Sequence, residues 1–352
     1  MKNCPDNSDE GKCNSTDHNN TTNNNDSLTN NTEAYLLLSQ RLSLNIINLS
    51  SERSTPLVNN LRTAVSLDYS YNGHQLFLSD VRSRTIYVSN ISVSSKNTTS
   101  TLLETVVNNT DTVDGIAYDW VHDILYWTDK GSKTIELLTM SGRHHKTIVS
   151  VHLDEPRGIA LDPRDGQKWL YWTDWGDKPR IEKAGLDGSN RALVVATDIG
   201  WPNDVTIDFA GDRMYLVDGK HHSISSSDLN GQNVQMILSQ QPYTMHPFSI
   251  DVFGDKIYWS DWSTDSVHQA NKHNGTTLTT VPSTYSPMGL KVYHPLKQPN
   301  GTNPCGVNNG GCSHICLAAA SLGSAARKFN CFCPDGKHVN EDGRTCYTPG
   351  PN

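Results

Sequence analysis

The chain has 352 residues, room for one large domain or two to three ordinary ones. Hydrophobic residues make up 35%, and the formal charge of −8 argues against nucleic acid, which requires a basic face. No run approaches the ~18 apolar residues of a membrane-crossing helix. No apolar core follows Lys2, so no export leader is read at Met1.

Residues 14–32 are nearly all Asn, Thr, Ser and Asp. Such a segment buries too little apolar area to offset its ordering entropy, and it is expected to be a disordered linker. From Glu33 a repeat begins. Strands end in an Asp at Leu76-Phe77-Leu78-Ser79-Asp80, Tyr126-Trp127-Thr128-Asp129, Tyr171-Trp172-Thr173-Asp174, Tyr215-Leu216-Val217-Asp218 and Tyr258-Trp259-Ser260-Asp261. Their first aromatics recur at intervals of 43 to 49 residues, the period of a propeller blade.

About ten residues before each strand lies a second element, as in Gly115-Ile116-Ala117-Tyr118-Asp119 and Gly158-Ile159-Ala160-Leu161-Asp162. Six such elements occur, the last at Gly289–Tyr293. A small first residue suits a crowded central channel. After each motif comes a strand, a turn and another strand. The turn pairs Ser141-Gly142, Asp187-Gly188, Asn230-Gly231 and Asn274-Gly275 favour hairpins with positive φ. Each period therefore holds four strands. The sixth inner strand has no motif after it, while Ala34–Leu38 and Asn45–Leu49 precede the first. These pieces are expected to complete one blade and close the ring.

Eight cysteines are present, and none lies between Cys13 and Cys305. Six fall within Cys305–Cys346, the density of a small oxidised extracellular module, and spacing alone leaves 15 pairings open. Sequons at Asn48, Asn90, Asn97, Asn108 and Asn274 mark candidate glycosylation sites on the same secretory route. More sequons crowd the linker.

The repeated Tyr-Trp-Thr-Asp motif resembles the class B repeats of the low-density lipoprotein receptor family. Cys305-Gly306-Val307-Asn308-Asn309-Gly310-Gly311-Cys312, with Cys316, Cys331-Phe332-Cys333 and Cys346, resembles the EGF-like module that follows such propellers. The resemblance implies disulfides Cys305–Cys316, Cys312–Cys331 and Cys333–Cys346. Residues 1–13 resemble the end of a class A ligand-binding repeat. In such a repeat, residues matching Asp9 and Glu10 help hold Ca²⁺, for which carboxylate oxygens are suitable ligands. Only two of that repeat's six cysteines, Cys4 and Cys13, are present. The chain is therefore expected to be a fragment that holds no metal itself, with Ca²⁺ bound by class A repeats of a full-length parent. The EGF-like module lacks the acidic run of calcium-binding versions and is expected to pack against the propeller.

The fold expected is all-β: a six-bladed propeller over 33–298, followed by a disulfide-rich EGF-like module over 301–347. No catalytic motif appears, and no enzyme activity is expected. Tyr and Trp of the repeats are read as core, and each motif Asp as an acceptor of backbone N–H bonds. His144-His145 and His221-His222 alternate across a strand and do not suit one shared metal ion. Trp175, Trp201, Lys220, His222, His246 and Trp262 fall where loops open at one rim. Exposed tryptophan there is a usual anchor for a partner.

In the low-density lipoprotein receptor, the positions matching Trp175, Trp201, Lys220, His222 and His246 receive the class A repeats at acid pH. The resemblance implies an endocytic receptor ectodomain that binds lipoproteins or other secreted proteins and releases them in endosomes. Membrane anchoring would come from segments outside this sequence. The alternatives are a co-receptor for a secreted signalling ligand and a nidogen-like matrix adhesion module.

Overall fold

Strand-forming segments rich in β-branched and aromatic residues alternate with polar turns throughout the computed structural model. It describes residues 32–94, 98–281, 285–320 and 328–350. The class A remnant expected over 1–13, with Asp9 and Glu10, lies outside the described residues, as do Asn97 and nearly all of the linker.

Six antiparallel sheets form the ring. Blade one holds inner strand Ala64–Ser70, second strand Gln75–Asp80 and third strand Thr85–Val93. Blade two runs through Val113–Asp119, Ile124–Asp129, Thr134–Thr139 and His145–Val149. Blade three comprises Pro156–Asp162, Trp169–Asp174, Arg180–Gly185 and Ala192–Val195. Blade four comprises Pro202–Asp208, Arg213–Asp218, Ser223–Asp228 and Gln235–Ser239. Blade five comprises Pro247–Phe253, Lys256–Asp261, Ser266–Asn271 and Thr279–Val281. Blade six is composite: its inner strand Leu290–Tyr293 pairs with Tyr35–Gln40, which continues to Ser43–Asn48 and Ser54–Val58. The two ends of the ring are thus stitched by one antiparallel ladder, with Leu36 opposite Val292 and Leu38 opposite Leu290.

Two sequence expectations are corrected. Blade one carries five strands rather than four. Its long third strand pairs with both Thr98–Ser100 and Glu104–Asn108, which accounts for the longest repeat interval. The glycine turns also differ from the expected hairpins. Gly188, Gly231 and Gly275 have φ of 79°, 78° and 68°, but Asp187, Asn230 and Asn274 stay outside the left-handed region. At Ser141-Gly142 the positive φ falls on Arg143 instead. The side chains explain this: Asp187 accepts the Ser189 N–H at 3.0 Å and Asn274 the Thr276 N–H at 3.0 Å, each closing an Asx turn.

The core lies between blades. Trp127, Trp172 and Trp259 are fully buried, with Tyr126 and Tyr171 beside them. These large flat groups fill the wedge between twisted sheets. Near the axis there is no room for side chains at the start of several inner strands. A Cβ on Gly115 would lie 2.1 Å from the Arg157 carbonyl oxygen.

Buried aspartates staple inner strand to inner strand. Asp68 accepts the Tyr118 N–H of the next blade at 2.8 Å, Asp204 the Ile250 N–H at 3.1 Å and Asp251 the Val292 N–H at 2.7 Å. Lys291 sits among all three. Burial pushes the Asp68 carboxyl up to about 6 despite the attraction of Lys291. Lys297 bonds Asp251 at 2.6 Å and helps hold that carboxyl below its ordinary range against burial.

Disulfides join Cys305 to Cys316, Cys312 to Cys331 and Cys333 to Cys346. The module is not a free appendage. Ile315, Leu317 and Ala318 share a buried cluster with Leu153, Leu170 and Leu186. Asp335 accepts bonds from Lys146 at 2.8 Å and from the Thr147 N–H at 2.9 Å. The connecting segment crosses the ends of the inner strands: Gln298 meets Tyr69 and Tyr71, and Trp120 donates to the Pro299 carbonyl at 2.7 Å. That mouth of the ring is covered. Among the described residues no connecting segment crosses the opposite mouth, where inner strands begin.

Candidate functional site

The motif aspartates build the mouth where inner strands begin. Asp218 accepts N–H bonds from Gly200 and Trp201 ahead of the inner strand, and from Lys220 and His221 in the turn after its own strand. Asp261 does the same for His246, Ser263 and Thr264. Asp174 takes the Asp154 and Glu155 N–H groups and pairs with Arg180 at 2.9 Å. In blades one, two, four and five a buried carboxylate thus fixes two loops on the same rim, and charged acceptors make the stronger hydrogen bonds.

Those loops bring the sequence candidates together. Trp175 and Trp201 meet edge to face with ring centroids 5.5 Å apart. Trp201 lies 6.1 Å from His246, which stacks on Trp262 at 5.3 Å. Trp262 in turn stacks on Phe248 at 4.4 Å. The result is one arc of rings across blades three to five. Trp201 and Trp262 are 39% and 37% exposed, high values for tryptophan, so the arc presents apolar area to solvent. Lys220 is exposed, and its stem lies against Gly200. The His222 ring bonds the Met245 carbonyl, which fixes it beside the loop that carries His246. Burial lowers the pKa of His246, aided by His222 and Arg157 and opposed by Asp261.

Three contributors were missed in the sequence. The Arg157 guanidinium sits 4.1 Å from the Trp175 ring centre, pairs with Asp114 at 3.2 Å and donates to Asn203 at 2.8 Å. Phe248 joins Val65 and Met288 in a small buried apolar cluster near the start of the inner strands, beneath Trp262. Glu155 pairs with Lys130 at 2.9 Å beside Trp175. A signal was there: Glu155-Pro156-Arg157, Trp201-Pro202-Asn203 and His246-Pro247-Phe248 align on their prolines. The residue after each of these prolines, with its counterparts Val65, Asp114 and Met288 in the other blades, rings the channel entrance. One half of that ring is apolar, and the other is polar through Asp114, Arg157 and Asn203.

Other candidates take structural places. His145 bonds Glu136 at 2.6 Å and His221 pairs with Asp218 at 3.0 Å. Among the described residues no group of three or more His, Cys, Asp or Glu is arranged to hold a metal ion. Asn90, Asn108 and Asn274 are exposed, while the Asn48 amide bonds Glu33 at 3.1 Å. Among the described residues no helix is long and apolar enough to cross a membrane.

Comparison with known proteins agrees with this geometry. The family model for the low-density lipoprotein receptor repeat class B matches residues 123–163 and 168–209. A model described as the coagulation factor Xa inhibitory site matches 305–346. The vitellogenin receptor Yl of Drosophila melanogaster is 33% identical over 237 residues, covering 67% of this chain and 11% of that receptor. The chain thus spans about a tenth of that relative's length. Among solved structures, a nidogen/laminin complex matches with TM-score 0.66 and 22% identity, over 74% of this chain and 98% of that one. TolB from Acinetobacter baumannii matches with TM-score 0.58 and 13% identity, over 74% and 66%. Both likenesses are of fold. With its class B repeats, closed six-bladed ring and knotted C-terminal module, the chain belongs to the low-density lipoprotein receptor family.

Proposed function

We propose that the aromatic mouth binds protein partners, and that it takes an acidic, Ca²⁺-loaded class A repeat more tightly as pH falls. The observation that carries this reading is the arc from Trp175 to Phe248, partly exposed and flanked by Lys220, His222 and Arg157. Trp supplies contact area at low entropic cost, and the cations select an acidic partner. The first ionisable switch is His246. Held neutral by burial at pH 7, it gains a charge in acid beside His222, Arg157 and Asp261. An acidic partner raises the proton affinity of that ring, so by linkage binding strengthens as pH falls. In an extracellular receptor this would displace a protein ligand in the endosome. The name of the vitellogenin receptor supports a protein ligand for a relative, and we extend that class to this chain.

The test is binding of the chain to a purified Ca²⁺-loaded class A repeat pair at pH 7.4 and 5.2. Tighter binding at the lower pH, lost in a His222→Ala/His246→Ala double variant, is expected. Equal affinity at both pH values would sink the acid-release reading. It would favour a permanently held partner seated on the exposed rings of Trp201 and Trp262.

A further inference from the structure

Three blades depart from the packing of the other three, and blade four departs furthest. In blades two, three and five the motif tryptophan stands opposite a long polar residue on the third strand: Trp127 opposite Glu136, Trp172 opposite Glu182, Trp259 opposite His268. Each of those partners is itself bonded, Glu136 to His145, Glu182 to Arg191, and His268 to Thr264 and Thr280. Blade one replaces the tryptophan with Leu78 but sets Tyr87 opposite it. Blade six sets Asn45 opposite Leu38, and that amide bonds Gln40 at 2.6 Å. In blade four both members shrink: Leu216 faces Ser225.

Beside this pair lies a groove of about 720 Å³ between blades three and four. That size is within the range of ligand sites. Val194, Val195 and Ile199 wall one side and Leu216 the other. Met236 and Val234 line its rim, 56% and 63% exposed. Ser223, Ser225 and Ser227 alternate along the same face of one strand and line the groove. Ser223 and Ser225 are 4% and 8% exposed. Among the described residues neither hydroxyl makes a side-chain hydrogen bond, whereas Ser227 bonds the Asp228 carbonyl at 2.9 Å. Both hydroxyls reach the solvent of the groove, where an incoming group can replace water.

We propose that this groove, which runs outward from Lys220 and His222 at the rim of the mouth, is a second binding site for an extended peptide segment that carries one large aromatic side chain. The aromatic group occupies the space that an indole fills in the neighbouring blades. The two free hydroxyls, two residues apart on a strand, stand about 7 Å from each other. That is also the repeat of same-side backbone groups in an extended peptide, so both hydroxyls find partners from one segment. An acyl chain would fill the volume but leave the hydroxyls unpaired.

The probes are capped hexapeptides of alternating Thr and Val with a central Trp, Tyr or Phe, and controls with central Ala, titrated calorimetrically into the full chain. Aromatic peptides are expected to bind at least about tenfold more tightly than the Ala controls, a difference of one decade in Kd. Ser225→Tyr, which copies the Leu78–Tyr87 pair, and Leu216→Trp, which restores the motif, each fill the groove. Both are expected to weaken binding by about tenfold or more, with an unchanged or raised thermal midpoint. No aromatic peptide binding at about 1 mM overturns the proposal, as does equal binding by the native chain and Ser225→Tyr. Dodecanoate binding that Ser225→Tyr abolishes, without peptide binding, reassigns the groove to lipid and equally overturns it.

Discussion

His246 lies flat on Trp262, with ring centroids 5.3 Å apart and planes 5° from parallel. This contact couples the titrating group of the mouth to its exposed anchor. Burial lowers the pKa of His246 in the folded chain, so the unfolded chain takes up its proton more readily. The stability contributed by the neutral ring is full above the unfolded value of about 6.5 and is lost as pH falls below it. His246→Phe keeps the stack and removes the titration. Its thermal midpoint is expected to fall less than that of the native chain between pH 7 and 5.

Asp68 has the opposite sign. Its carboxyl is pushed up to about 6 by burial, so the folded ring favours the protonated form. Its contribution is full below about 3.9 and is lost as pH rises through 6. Asp68→Asn retains an acceptor for the Tyr118 N–H. Denaturant titration is expected to show a gain of about 1 kcal/mol at pH 7 and a flatter profile between pH 4 and 6. A loss of stability at pH 7 would show that its attraction to Lys291 outweighs the burial of its charge.

Asp218 organises the loops of Trp201 and Lys220 with four N–H bonds. Asp218→Ala leaves those donors without their acceptor and is expected to cost about 3 kcal/mol. Tryptophan fluorescence should report greater exposure of the Trp201 loop even where the ring stays folded.

The knotted module leans on blade two through Asp335. Burial opposes its charge, but Lys146 and Thr147 together hold the carboxyl below its ordinary range. The contact is therefore full above about pH 4 and is lost as pH falls through the lowered value. Asp335→Ala is expected to cost about 1 kcal/mol, since the site is partly exposed. Hydrogen exchange should rise in 328–350 with little change in the blades.

At the channel, Gly115→Ala places a methyl against the Arg157 carbonyl. Blades two and three must then separate, at a cost of about 2 kcal/mol or more in a denaturant titration. An unchanged midpoint would mean that the ring yields there.

Blade number, the composite sixth blade and the role of each motif Asp were legible in the sequence because each depends on local spacing that repeats in register. Asp129 and Asp218 meet backbone N–H groups within about twenty residues, so the motif carries its own loop. The mouth residues were legible in part for the same reason, as their loops sit at fixed offsets from the motif. Tertiary structure alone decided the rest. Arg157 meets Asp114 of blade two and Asn203 of blade four only because three blades converge on one axis. Asp68, Asp204 and Asp251 become one charge cluster with Lys291 only when the ring closes. The module's seat depends on Asp335 meeting Lys146, a contact between residues 189 apart in the chain. The groove of blade four follows from the face opposite Leu216, where Ser225 stands. The repeat marks the smaller residue, but only packed neighbours reveal that nothing compensates for it.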